Sequence, residues 1–115
     1  MLLDLKTQEQ FESMWFLTHG EKPHKGMRED GAWIQYHTAT WCGACKRLDL
    51  PAIIKAAEAK GVAIWKIDVD VNDYTSGYCG VRSMPTFQIC VPKKIVSTLQ
   101  SSDTATVLNW IAQHV

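Results

Sequence analysis

Two of the four cysteines, Cys42 and Cys45, are separated by only two residues, a spacing that permits reversible disulfide chemistry. A disulfide requires the two Cα atoms to lie within about 7 Å, and two intervening residues at a strand-to-helix turn meet that requirement without distortion. The pair is therefore predicted to cycle between a dithiol and a disulfide.

Cys42 is the predicted nucleophile of this pair. A free thiol has a pKa of about 8.5, but backbone N–H groups and the positive end of a following helix favour the thiolate at a helix N-terminus. The Cys42 thiolate would attack a substrate disulfide to give a mixed disulfide, which Cys45 then resolves. The same steps in reverse oxidise a substrate dithiol.

Two other interpretations of the pair are open. The cysteines can be ordinary core thiols, or they can form half of a zinc site completed by His37, Cys79 or Cys90. A structural zinc site usually shows a second paired-ligand motif, and the sequence contains none. Redox function is therefore favoured, and we predict neither a metal nor a cofactor.

The residues around the pair predict a strand, a helix and a second strand. Residues 32–38 are rich in β-favouring residues without clean alternation, as in a central strand covered on both faces. A helix is predicted over residues 45–60, with Pro51 kinking or interrupting it and Gly61 ending it. Residues 62–69 form the next strand, and this order implies a parallel, right-handed crossover.

The remaining elements complete an α/β pattern. Thr7 and Gln10 form a capping box that opens a helix reaching about Trp15. Residues 18–31 are predicted to be a long loop. Four further elements are predicted: a short strand over residues 2–5, a short helix or turn within residues 70–80, a hairpin of strands at residues 86–91 and 95–99, and a helix after Asp103 with the apolar face Val107, Leu108, Ile111, Ala112 and Val115.

Composition and charge limit the function classes. The chain has 115 residues, of which 46% are hydrophobic, so we expect one domain over residues 1–115. The formal net charge is zero, which favours neither nucleic acid nor an anionic membrane as a partner. The opening residues 1–6 are too short and too polar for a signal peptide, and no stretch has the roughly 20 apolar residues of a spanning helix. We expect a soluble, cytoplasmic monomer.

Two motifs stand at corresponding points of this pattern: Trp41-Cys42-Gly43-Ala44-Cys45-Lys46 after the central strand and Ser83-Met84-Pro85-Thr86-Phe87 before the hairpin. Together they resemble the thioredoxin family. The resemblance covers most of the chain from about Trp33 onward and implies the thioredoxin fold, a central mixed β-sheet flanked by helices. It also implies that Pro85 is a cis proline facing the pair, that the Met84 backbone binds an extended substrate, and that Trp41 is an exposed aromatic beside the nucleophile.

The sequence departs from the family pattern near the pair. Tyr36 stands where the family has a buried Asp that helps deprotonate the resolving thiol, while Lys66 matches a Lys of the neighbouring strand. Because a phenol is a poor base at neutral pH, we expect slower resolution of the mixed disulfide. His37 is either a cation that supports the thiolate or a neutral core residue. Ala44 replaces the usual Pro or His, and we expect a somewhat more oxidising potential within the reductase range.

The resemblance implies a protein-disulfide reductase active in electron transport and cell redox homeostasis. Its electrons would come from a thioredoxin-reductase-like or glutathione-linked donor. An oxidase or isomerase and a binding subunit that docks through Trp41 and Met84 are the alternatives. Cys79 and Cys90 are either a second pair, regulatory thiols or simply buried. Lys93 and Gln100 replace common glycines, which predicts local bulges.

Overall fold

Five strands form one mixed sheet in the computed structural model, which describes residues 1–18 and 21–115. They are β1 (Leu2–Asp4), β2 (Trp33–Thr38), β3 (Ile64–Asp68), β4 (Thr86–Val91) and β5 (Lys94–Gln100). Their order is β1-β3-β2-β4-β5, with β3 parallel to β1 and β2, and with β4 antiparallel to β2 and β5. The predicted parallel connection from β2 to β3 and the predicted β4–β5 hairpin are confirmed.

Four α-helices within the described residues cover both faces of this sheet. They are α1 (Gln8–Trp15), α2 (Leu50–Ala59), α3 (Asp73–Tyr78) and α4 (Thr104–His114). The apolar side chains of α2 and α4 pack in one cluster with Ile34 and Tyr36, whereas those of α1 pack in a second cluster with Trp33. Because successive strand residues point to opposite faces, β2 is buried on both sides, as its sequence predicts.

Capping side chains start α1 and α4 where the sequence predicts. Thr7 accepts a hydrogen bond from the backbone N–H of Gln10 at 3.1 Å, and the Gln10 side chain accepts one from the N–H of Thr7 at 3.2 Å. Asp103 accepts from the N–H of Thr106 at 3.0 Å. These bonds satisfy N–H groups that a helix end leaves without partners.

The helix predicted over residues 45–60 is two separate segments. A short 3₁₀ helix spans Cys45–Arg47, and the extended backbone of Leu48, with ψ of 137°, ends it. Asp49 then caps α2 by accepting a hydrogen bond from a backbone N–H of its first turn at 3.2 Å. The predicted interruption is thus present, but it precedes Pro51. Pro51 lies in the first turn of α2, where a missing N–H needs no partner, and it does not kink the helix.

The buried face of α4 differs from the predicted one. Val107 and Ile111 are buried as predicted, and Trp110 is buried as expected of a packing residue, whereas Ala112 is exposed. The indole N–H of Trp110 donates to Ser97 Oγ at 2.9 Å, so this ring reaches across β5. A large amphipathic ring therefore replaces a methyl group in covering the sheet.

One of the irregularities expected from the sequence is present near Lys93, whereas Gln100 pairs regularly with Thr86. Lys93 has a φ of +65° in the β4–β5 turn, and the pairing of β4 with β5 shifts register between Ile89 and Cys90. Gly61 follows α2 with a φ of +70°, as expected of a helix-ending glycine. The predicted 18–31 loop has no helix or strand in its described part; its residues 19–20 lie outside the described residues. Within the described chain, no helix is both long and apolar enough to cross a membrane.

Candidate active site

Cys42 and Cys45 are joined by a disulfide immediately after the carboxyl end of β2. Their Cα atoms are 5.4 Å apart, within the range that a disulfide requires. Both side chains are largely buried, with 6% and 8% of each residue exposed. The disulfide predicted from the Cys-x-x-Cys spacing is therefore confirmed, and the interpretation of the pair as two separate core thiols is wrong for this structure.

The local backbone directs a hydrogen bond at the sulfur of Cys42. The backbone N–H of Cys45 donates to Cys42 Sγ, with the two atoms 3.1 Å apart. The element that follows is the three-residue 3₁₀ helix, so the long helix dipole expected at this point is absent. Stabilisation of a Cys42 thiolate would therefore depend on this neighbouring N–H group more than on α2, which begins five residues after Cys45.

The Met84–Pro85 segment lies beside the pair. The peptide bond between these residues is cis, as the resemblance implies. The Met84 side chain packs against a small cluster formed by Ala39 and the two cysteines. The structure thus brings together the two motifs that are about forty residues apart in the sequence, although the role of Met84 and Pro85 in binding substrate stays a prediction.

Trp41 is an exposed aromatic side chain next to the disulfide. Its exposed fraction is 64%, whereas Trp33 and Trp110 are buried in the core. The indole N–H of Trp41 donates to Asp70 Oδ2 at 2.8 Å, a partner that the sequence reasoning missed. A signal was available, because Trp41 follows β2 and Asp70 follows β3, and the carboxyl ends of parallel strands meet at one edge of a sheet.

Tyr36 lies in the core and does not replace the buried carboxylate of the family. Its ring stacks on Phe87 with centroids 4.8 Å apart, and its hydroxyl donates to Thr38 Oγ1 at 3.2 Å. Burial raises the pKa of Tyr36 above its usual value, so this phenol is neutral at physiological pH. Lys66 lies opposite Tyr36 in the β2–β3 register, and its Nζ is 3.6 Å from Asp4 Oδ1.

A pocket of about 250 Å³ lies beside the disulfide, on the face of the sheet that carries Tyr36. Both cysteines line it, together with Lys66 and Asp68 of β3. No motif in the sequence points to Asp68, because its place in this pocket depends on the register between strands that are far apart in the chain. A larger cleft of about 590 Å³ lies at the opposite end of β2, away from the cysteines.

His37 points to the other face of β2 and is a neutral core residue. It is fully buried, and its Nε2–H donates to Gln88 Oε1 at 2.8 Å, which leaves Nδ1 to accept from the Ser76 hydroxyl at 2.9 Å. Burial lowers the pKa of His37 to about 4, although the bond to Gln88 opposes this shift. The interpretation of His37 as a cation that supports the thiolate is therefore wrong.

Cys79 and Cys90 are buried free thiols in this structure and are not bonded to each other. The Gln35 side-chain amide donates to Cys79 Sγ at 3.4 Å, and burial raises the pKa of both thiols. Across residues 1–18 and 21–115, no group of three or more His, Cys, Asp or Glu side chains is arranged to hold a metal ion. The alternative zinc site with His37 is not assembled.

Comparisons with known proteins agree with this geometry. A family model described as Thioredoxin matches residues 18–113. The thioredoxin of Geodia cydonium is 38% identical over 60 residues, which cover 52% of this chain and 57% of that protein. The thioredoxin of Listeria monocytogenes is 43% identical over 63 residues, which cover 53% of this chain and 60% of that protein. The matching segments thus span less than two thirds of either relative.

The fold likeness extends over nearly the whole chain. The crystal structure of Malassezia sympodialis thioredoxin superimposes with a TM-score of 0.76 and 25% sequence identity. The alignment covers 98% of this chain and 92% of that one. The expected thioredoxin fold is therefore confirmed.

Proposed function

Since the chain belongs to the thioredoxin family, we propose that it is a thiol-disulfide oxidoreductase that reduces protein disulfides through Cys42 and Cys45. The observation that carries this proposal is the disulfide between these two residues at the carboxyl end of the central strand. Members of this family are protein-disulfide oxidoreductases. We further propose that residues 1–115 act as a single domain.

In the proposed cycle, Cys42 is the nucleophile. The N–H of Cys45 at 3.1 Å favours the charged form of the Cys42 sulfur, because a thiolate accepts a stronger hydrogen bond than a thiol. The thiolate attacks one sulfur of a substrate disulfide, and the other substrate sulfur leaves with the electron pair. Cys45 then attacks Cys42 Sγ, which forms the enzyme disulfide and releases the second substrate thiol.

Three residues around the pair are proposed to bind the substrate. Trp41 offers an exposed ring whose orientation is held by Asp70, and the Met84–Pro85 segment lies against the cysteines. An extended peptide crossing this surface would place its disulfide against Cys42, while the Met84 backbone supplies hydrogen bonds. The binding energy would then come largely from main-chain contacts, which suits a reductase that accepts many protein disulfides.

A thioredoxin-reductase-like or glutathione-linked system is the proposed electron donor, and the chain is proposed to act as a monomer. The cytoplasm is the proposed compartment. The two buried free thiols, Cys79 and Cys90, support this location, because disulfide-based structural frameworks are typical of oxidising compartments. One exchangeable disulfide beside two unpaired thiols fits a protein that works under reducing conditions.

Reduction of insulin by dithiothreitol tests this function directly. We expect the wild-type protein to accelerate the reaction and Cys42→Ser to abolish the acceleration. Cys79→Ser is the matched control, since it removes a buried thiol outside the proposed cycle and should keep most of the activity. A Cys42→Ser variant as active as the wild type would contradict the proposal.

Trapping the reaction halfway tests the order of the two cysteines. A Cys45→Ser variant should accumulate a mixed disulfide with its substrate at Cys42, because the second attack is removed. Mass spectrometry of the trapped complex would identify both the bonded residue and the substrate protein. Substrate bound through any other residue would contradict the assigned roles.

A further inference from the structure

The pocket beside the disulfide contains one carboxylate among its described lining residues, that of Asp68. The β2–β3 register explains this position, because Lys66 and Asp68 lie opposite Tyr36 and Thr38. Alternate residues of a strand share a face, so all four side chains belong to the face that carries Cys45. Asp68 lines the pocket and is only partly buried, so its carboxylate stays in contact with water.

The reaction needs a proton acceptor at this place. Cys45 carries a proton as a thiol and becomes an effective nucleophile only after losing it. Tyr36 does not accept that proton, since its hydroxyl already donates to Thr38 Oγ1 at 3.2 Å and the ring is buried against Phe87. Lys66 also lines the pocket, but a lysine side chain supplies hydrogen-bond donors and no acceptor.

Asp68 has an oxygen available for this role. Its Oδ1 accepts the backbone N–H of Asp70 at 2.9 Å, and its Oδ2 has no hydrogen-bond partner among the described residues. Two other carboxylates, those of Asp4 and Asp70, do not line this pocket and each has a partner elsewhere. Asp70 accepts the indole N–H of Trp41, and Asp4 pairs with Lys66.

We propose that Asp68 accepts the proton of Cys45 across this pocket, in place of the carboxylate that Tyr36 has replaced. The proposal rests on the proposed disulfide reductase function. A pocket of about 250 Å³ that is lined in part by Thr38, Lys66 and Asp68 has room for water, which carries the proton from the thiol to Oδ2. The Cys45 thiolate then attacks Cys42 Sγ, the Cys42–substrate bond breaks, and the departing substrate sulfur takes the proton. The enzyme dithiol is oxidised and the substrate disulfide is reduced.

Stopped-flow reaction of the reduced protein with dithiobis(nitrobenzoate) separates the two steps. Attack by Cys42 releases the first thionitrobenzoate, and resolution by Cys45 releases the second. In Asp68→Asn, we expect the first phase to keep its rate and the second to slow by about tenfold or more. Asp73→Asn is the matched control, because this exposed carboxylate on α3 does not line the pocket and should leave both phases unchanged.

The pH dependence distinguishes proton transfer from a structural effect. Between about pH 6 and 8 the rate of the wild-type second phase should vary little, because a carboxylate that accepts the proton removes the need for the thiol to ionise on its own. In Asp68→Asn the rate of the second phase should rise with pH, because the Cys45 thiol must then lose its proton to the solvent. Asp68→Glu should restore a fast, nearly pH-independent second phase, since it keeps the carboxylate.

Three results would overturn the assignment of Asp68. They are an unchanged second phase in Asp68→Asn, equal slowing of both phases, and a Glu variant that behaves like the Asn variant. A wild-type protein that shows no second phase would instead contradict the proposed function, since Cys45 would then not resolve the mixed disulfide. The failure of this inference and the failure of the reductase function are therefore distinguishable.

Discussion

Mild acid should destabilise the protein because His37 is buried in its neutral form. The imidazole is fully buried between Gln88 and Ser76, and burial lowers its pKa from 6.5 to about 4. In the unfolded chain the same side chain is solvated and has a pKa of about 6.5. The unfolded state therefore binds a proton that the folded state excludes, so stability falls as the pH drops from about 6.5 to about 4.

The two pKa values give the size of this effect. One pKa unit corresponds to about 1.4 kcal/mol, so the loss of unfolding free energy reaches about 3 kcal/mol once the pH is below both values. Between pH 7 and pH 5 the same linkage predicts a loss of about 2 kcal/mol. A domain has a total stability of roughly 5–15 kcal/mol, so this loss is readily measured.

Urea unfolding at pH 7 and pH 5 tests the prediction when the wild type is compared with His37→Gln. The variant lacks the titrating ring, so its pH-dependent loss should be smaller by about 2 kcal/mol, whatever its stability at pH 7. His114→Gln is the control, because this exposed ring stays in contact with water on folding. Equal losses in the wild type and His37→Gln, or an NMR titration of His37 with a midpoint near about 6.5, would refute the reasoning.

Three further substitutions test other parts of the structure. Lys93→Gly should raise the unfolding free energy by about 0.5–1 kcal/mol, because Lys93 has a φ of +65°, which glycine adopts without strain. Lys94→Gly in β5 is the control and should lower the unfolding free energy. Thermal denaturation in which Lys93→Gly is no more stable than the wild type would contradict this prediction. Thr7→Ala should cost about 1 kcal/mol through loss of the α1 cap and Thr7→Ser much less, and equal effects in urea unfolding would count against the cap. Trp41→Ala should raise the KM for insulin with little effect on the kcat, and an unchanged KM would remove Trp41 from the proposed binding surface.

The features that were predictable from the sequence depend on residues close together in the chain. A Cys-x-x-Cys spacing limits the distance between the two Cα atoms, and these atoms of Cys42 and Cys45 lie 5.4 Å apart in the disulfide. The Thr7–Gln10 capping box likewise joins residues three positions apart, and both of its hydrogen bonds are present. The burial of β2 on both faces was visible in its lack of alternation.

The features that were not predictable depend on competition between alternative helix starts or on contacts between residues that are far apart in the chain. Residues 45–60 have helical spacing throughout, yet the cap supplied by Asp49 starts a new helix and leaves only one 3₁₀ turn after Cys45. The positions of Asp68 and Asp70 at the site follow from the pairing of β3 with β2, which joins residues about thirty apart. The neutral form of His37 depends on its hydrogen bonds to side chains of α3 and β4, which are far from it in the chain.

Equilibration of the protein with glutathione buffers of graded potential is the most direct test of the central claim. The redox state of each cysteine would be read by alkylation and mass spectrometry. We expect Cys42 and Cys45 to change together and reversibly between dithiol and disulfide, at a potential somewhat above the roughly −270 mV typical of thioredoxin, while Cys79 and Cys90 stay reduced. A Cys42–Cys45 pair that fails to form or to open reversibly in these buffers would contradict the account.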